Sequence, residues 1–179
     1  MANQLEFNDD LQRDDSQSLQ ALVQNPEGDL HLSFFLESGG EFALPAMGIR
    51  EVLALASDQI TPIPNVSPFL LGVLNLRGEA VWVADIGQFL GEPKPISIDH
   101  AELPIIIIEA EDTMLGLAVA SVKGMQWLES HLLSPVENLA PELAPFVVGE
   151  WRVSVVSSLE SPLQLLEPAS ILRSERWVA

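Results

Sequence analysis

The stretch Phe69-Leu70-Leu71-Gly72-Val73-Leu74-Asn75-Leu76-Arg77-Gly78-Glu79-Ala80-Val81-Trp82-Val83-Ala84-Asp85 decides how the rest of the chain is read. Phe69 to Leu74 is a short apolar run whose spacing predicts a helical turn. Asn75-Leu76-Arg77-Gly78 is a turn, in which the Asn side chain can bond nearby backbone and Gly78 can take a positive φ. Glu79 to Ala84 reads as a strand, and Asp85 as the N-cap of the helix that follows. A turn that carries one arginine between two well-packed elements is the pattern of a recognition loop on a scaffold. Arginine suits that use, because its planar fork of donors engages a carboxylate or the last carbonyls of a helix in two places at once. The competing reading is an arginine held by a carboxylate of its own chain, a pair that contributes little when exposed.

Outward from this stretch, Leu30, Leu32, Phe34 and Leu36 alternate with His31, Ser33, Phe35 and Glu37, which predicts a strand. Ser38-Gly39-Gly40 turns it into a return strand from Glu41 to Ala46. Met47 to Ala56 sets Ile49, Val52 and Leu53 on one side, and an extended piece with Pro62 and Pro64 follows. After Asp85, Ile86, Phe89 and Leu90 make a short helix that stops at Gly91, and a proline-rich connector runs to Pro104. Ile105 to Glu109 is a continuous β-branched run, as expected of a buried strand. Strands are expected again over 114–119, 122–128, within 146–156 and over 163–166, with a last helical turn at 168–172 and Trp177 pinning the end of the chain. Residues 1–28 form an acidic leader in which Leu11, Leu19, Leu22 and Val23 could line one face of a helix from about Asp15 to Gln24. It is read as a flexible tail or as an amphipathic segment that docks.

The two halves, about 30–92 and 103–173, repeat one another. Phe42-Ala-Leu-Pro-Ala-Met-Gly-Ile49 aligns with Leu115-Gly-Leu-Ala-Val-Ala-Ser-Val122, and Phe69-Leu-Leu-Gly72 with Phe146-Val-Val-Gly149. Ala84-Asp85 aligns with Leu166-Glu167, each opening a short helix. Many short strands in two copies of a small unit predict small barrels, with the groove between the copies as the binding surface. Gly72, Gly116 and Gly149 are read as structural positions, required for tight packing or turns, and Asp85 and Glu167 as helix caps.

The totals exclude several functions. Of 179 residues, 26 are acidic and 8 basic, a formal charge of −18, which repels nucleic-acid phosphates and anionic lipid. There is no cysteine, so no thiolate nucleophile or Cys-bound metal, and His31, His100 and His131 lack ligand spacing. No nucleophile–base pattern, P-loop or dinucleotide fingerprint occurs. The expectation is a non-enzyme without metal or cofactor. Met1 to Asp10 lacks the basic and apolar regions of a signal peptide and no apolar run is long enough to span a bilayer, so a cytoplasmic protein without membrane insertion is expected.

With these residues in view, the body from Leu30 to Leu172 resembles the CheW-like domain of bacterial chemosensory systems. Gly72-Val73-Leu74-Asn75-Leu76-Arg77-Gly78, followed by Val81, Val83, Asp85 and Leu90, is similar to that family's G-x-x-N-x-R-G turn, strand and D-L helix. Phe42, Ile49, Glu51, Val52, Ile63-Pro64 and Phe69 fall where the family has similar residues, as do Leu115-Gly116-Leu117, Val119, Ser121 and Val122 in the second half. The chain departs from the family at Ala120, where an acid is usual, and over 152–162. The resemblance implies two packed five-stranded barrels over 29–175 and a non-catalytic adaptor. Its partners would be the regulatory domain of a CheA-type histidine kinase and the cytoplasmic tips of methyl-accepting chemoreceptors, in control of taxis or pilus-based motility. It also implies a partner-binding set of Arg77, Asn75, Leu76, Ile49 and Glu51, with Gly72, Gly78 and Gly149 structural. The alternative is a double barrel that binds a small ligand or peptide, with no link to a kinase. Exposed tryptophans among Trp82, Trp127, Trp151 and Trp177 would anchor a helical partner.

Overall fold

A computed structural model describes residues 27–99, 101–152 and 162–178. In chain order the strands are β1 (Asp29–Phe35), β2 (Glu41–Pro45), β3 (Ile49–Leu55), β4 (Leu70–Leu76) and β5 (Glu79–Asp85), then β6 (Leu103–Ala110), β7 (Thr113–Ala118), β8 (Ser121–Leu128), β9 (Val147–Trp151) and β10 (Leu163–Leu166). Two short helices, α1 (Ile86–Phe89) and α2 (Pro168–Leu172), follow β5 and β10. Of the helical turn expected at Phe69 to Leu74, all but Phe69 is instead part of β4, and the one-sided run after Met47 is β3. In both, alternate residues go to opposite faces, and packing against neighbours decides the conformation of so short a run.

The ten strands make two five-stranded sheets, β8-β1-β2-β10-β9 and β3-β6-β7-β5-β4. Each sheet takes a hairpin from one half of the chain and three strands from the other. Sheet one joins β1–β2 to β8, β9 and β10; sheet two joins β6–β7 to β3, β4 and β5. The joints correspond residue by residue. The parallel pair Val83–Gly116 in sheet two matches Leu165–Ala43 in sheet one. Arg50 is the extra residue of a bulge between β3 and β6, and Lys123 that of a bulge between β8 and β1.

Neither sheet closes into a barrel, which corrects the expectation. The outer edge of β4 is taken by Thr61, which exchanges two backbone hydrogen bonds of 2.8 and 2.9 Å with Val73, and the outer edge of β9 is taken likewise by Ser134 with Glu150. Pro62 and Pro135 follow these residues, and a proline has no N–H with which to extend the ladder. Both approaches require glycine. A Cβ on Gly72, whose φ is +150°, would stand 2.2 Å from the Thr61 carbonyl oxygen, and one on Gly149 would stand 2.8 Å from that of Ser134. These two glycines lie inside strands rather than in turns.

The cores follow from the alternation. Leu32, Phe34, Ile106, Ile108 and Leu117 face the space between the sheets with Ile86, Phe89, Phe146 and Ile171. Ile105 and Ile107 face the other way, into a second core inside sheet two with Leu74, Leu76, Val81 and Val83. The unbroken run Ile105–Ile108 is thus buried on both faces of one strand. Trp177 closes the shared core, its ring stacked on Phe89 at 4.1 Å between centroids and its Nε1–H donating to the Ile171 carbonyl at 2.7 Å.

Candidate protein-interaction surface

The β4–β5 hairpin ends at Arg77-Gly78, with φ of 53° and 92°. Two central residues at positive φ match the twist of the flanking strands, as in a type I′ turn. The Asn75 carboxamide oxygen accepts from the Gly78 N–H at 2.7 Å, so Asn75 holds the turn. The unusual member is Arg77, a residue with a Cβ in the left-handed region. Its side chain is 79% exposed, and its Nη2 reaches the Glu51 Oε2 at 3.1 Å. Glu51 lies on β3, the opposite edge of sheet two, and is 20% exposed. The ion pair therefore spans the gap that the open sheet leaves.

Of the residues grouped by the sequence, Arg77, Asn75 and Glu51 come together at this end of sheet two. Ile49 begins β3, half-buried against the shared core. Leu76 is turned into the core of sheet two and offers no surface, because it follows the outward-facing Asn75 in the alternation. Gly78 has open space where a Cβ would be.

Two of the four tryptophans named from the sequence are exposed, Trp82 and Trp127, and the sequence did not show what surrounds them. Trp82 is 37% exposed and borders a groove of about 400 Å³ with Leu70, Met114, Leu115, Leu172 and Trp177. It faces outward because β5 alternates between the core and this groove. On β8, Met125 and Trp127 are 52% and 51% exposed on one face. Trp151, by contrast, is buried in the core of sheet one beside His31. Ala120 lies just after β7, and its N–H donates to the Phe35 carbonyl. Most of the divergent segment 152–162 falls outside the described residues.

Charge on this surface is mostly paired. Arg50 meets Glu109 at 3.2 Å and Lys123 meets Glu41 at 2.8 Å, two bridges at corresponding bulges. The hydrogen bond and charge of Glu150 raise the Arg152 guanidinium above its ordinary pKa. Among the described residues no three His, Asp or Glu side chains converge as a metal site, and no helix is long and apolar enough to cross a membrane. The arrangement suits recognition of a protein surface, with a cation on a fixed hairpin tip and apolar residues on neighbouring strands.

The family model described as CheW-like domain matches residues 31–176. Protein PilI of Pseudomonas aeruginosa is 33% identical over 119 residues, 64% of this chain and 63% of that one. The chemotaxis protein CheW of Klebsiella aerogenes is 26% identical over 135 residues, 75% of this chain and 76% of that one. Among solved structures, the scaffolding protein TtCheW from Thermoanaerobacter tengcongensis superposes with a TM-score of 0.65 at 23% identity, covering 78% of this chain and 89% of that one.

Proposed function

The chain belongs to the CheW-like domain family, and from that premise we propose that it is a non-catalytic cytoplasmic adaptor that couples chemoreceptor tips to a CheA-type histidine kinase. The observation that carries the reading is the hairpin tip, where Arg77 is exposed yet anchored to Glu51 across the open edge of sheet two. A kinase regulatory domain docks on this edge through Arg77, Glu51 and Ile49, and a helical receptor tip lies along the apolar surface where the sheets meet. The adaptor works by position. It biases the kinase between active and inactive populations through contacts that differ in the two states. Similarity to both CheW and PilI supports taxis or pilus-based motility as the output.

The test is calorimetry of the full chain with the regulatory domain of its own organism's chemosensory kinase at moderate salt. Saturable one-to-one binding that falls at least tenfold with Arg77→Ala supports the reading, as an arginine anchor buried in an interface is typically worth about 1.4 kcal/mol or more. Unchanged binding by a folded Arg77→Ala protein overturns the role of Arg77. No binding by the wild-type chain favours the second reading, a peptide- or ligand-binding module, for which the Trp82 groove is the site.

A further inference from the structure

A second arginine, Arg50, lies one residue from the Glu51 that receives Arg77. Ile49 is opposite Ile108 and Glu51 opposite Ile107, so Arg50 is the extra residue of the bulge between them. A bulge aims its extra side chain where regular alternation would not. The Arg50 Nη1 donates to the Glu109 Oε1 at 3.2 Å and to the Met114 Sδ at 3.1 Å, and Glu109 and Met114 are paired across β6 and β7. Glu109 follows Ile105 and Ile107 in the alternation, so it shares a face with Glu51, the partner of Ile107. Diagonal neighbours of this kind on paired strands are about 7 Å apart. Two carboxylates therefore stand side by side at the edge that Arg77 reaches. Among the described residues each has one cation, Arg77 on Glu51 and Arg50 on Glu109.

We propose that Arg50, within the adaptor reading on which its effect on binding rests, is a positioning residue for Arg77. By engaging Glu109 it leaves Glu51 as the one acceptor that directs the Arg77 guanidinium. Without Arg50, Glu109 repels Glu51 and competes with it for Arg77. The Arg77 side chain is long and 79% exposed, so nothing but its acceptor fixes its direction. Exposed pairs add little to stability, so the loss falls on the aim of Arg77 and not on the fold. The corresponding bulge of sheet one gives the contrast. There Lys123 meets Glu41, and the next residue is Gly124, so the strand has no acid at the position of Glu51.

Two readouts on the full chain test this, with circular dichroism as the check on folding. In the free protein, the guanidinium NMR signal of Arg77 is assigned by its loss in Arg77→Ala. It shifts in Arg50→Ala, moves back in Arg50→Ala/Glu109→Gln, and stays in place in Lys123→Ala. In calorimetry with the same kinase regulatory domain, Arg50→Ala binds at least about threefold more weakly, the lower end of coupling within an ion-pair network, while Arg50→Lys and Arg50→Ala/Glu109→Gln bind within about twofold of wild type. An Arg77 signal that does not move in Arg50→Ala overturns the proposal, as does unchanged binding by that variant. A binding loss that Glu109→Gln does not restore makes Arg50 a contact of the partner itself and also overturns it. A wild-type chain that binds no kinase domain defeats the adaptor reading, and the Arg77 signal of the free protein then decides the role of Arg50 by itself.

Discussion

Arg77 shows how little of a residue's role is visible in its identity. At a φ of 53° it occupies a region that costs a residue with a Cβ about 1–2 kcal/mol. Its exposed ion pair with Glu51 contributes about 0–1 kcal/mol, so the pair does not offset that strain with any margin. A glycine would satisfy the turn better. Arg77→Gly is therefore expected to leave the thermal midpoint unchanged or raise it by a few degrees, while weakening kinase-domain binding at least as much as Arg77→Ala. A large drop in midpoint would show that Arg77 is there for stability. Glycine is decisive at Gly72 but only helpful at Gly78. Gly72→Ala puts a methyl against the Thr61 carbonyl and is expected to cost more than about 2 kcal/mol, whereas Gly78→Ala, with open space and a positive φ, costs about 1 kcal/mol. Urea midpoints of the two variants rank them.

Among the elements, the corresponding helices α1 and α2 differ in how they are held. Asp85 is buried, and its carboxylate accepts from the Gln88 N–H at 3.0 Å and from the Ile96 N–H at 2.7 Å, so it both caps α1 and fastens the connector after it. Among the described residues, Glu167 accepts from the Ala169 N–H alone, at 3.2 Å. Asp85→Ala is expected to cost about 2–3 kcal/mol, because it leaves two donors without their acceptor, and Glu167→Ala about 0.5–1 kcal/mol. Chemical denaturation measures both, and equal losses would show that the connector needs no such fastening. The caps, the Asn75 turn and the alternation of β1 were legible in the sequence because each rests on residues a few positions apart. The conformation of Phe69 to Leu74 was not, since a run of that length fits a helix or a strand until its neighbours are known.

At the scale of the molecule, the exchange of strands makes the two halves interdependent. Neither sheet exists without strands from both halves, and the shared core draws on both sheets. Residues 1–100 and 101–179 expressed separately are expected to lack stable tertiary structure, and to recover the native near-ultraviolet dichroism only when mixed or co-expressed. A fragment that shows native-like dispersion of amide signals by itself would contradict this. The same exchange locates the candidate surface. β3 and β4 are the two edges of sheet two, and only its curvature brings Glu51 within reach of Arg77.

The sequence by itself determined most of the strands, the caps, the turn at Arg77 and the family resemblance, because each depends on local spacing and backbone chemistry. Tertiary structure alone decided which sheet each strand joins, that the sheets stay open, that Leu76 turns inward and that Glu51 receives Arg77. These outcomes depend on contacts between residues far apart in the chain, and on glycines whose necessity shows only when another backbone comes to lie against them.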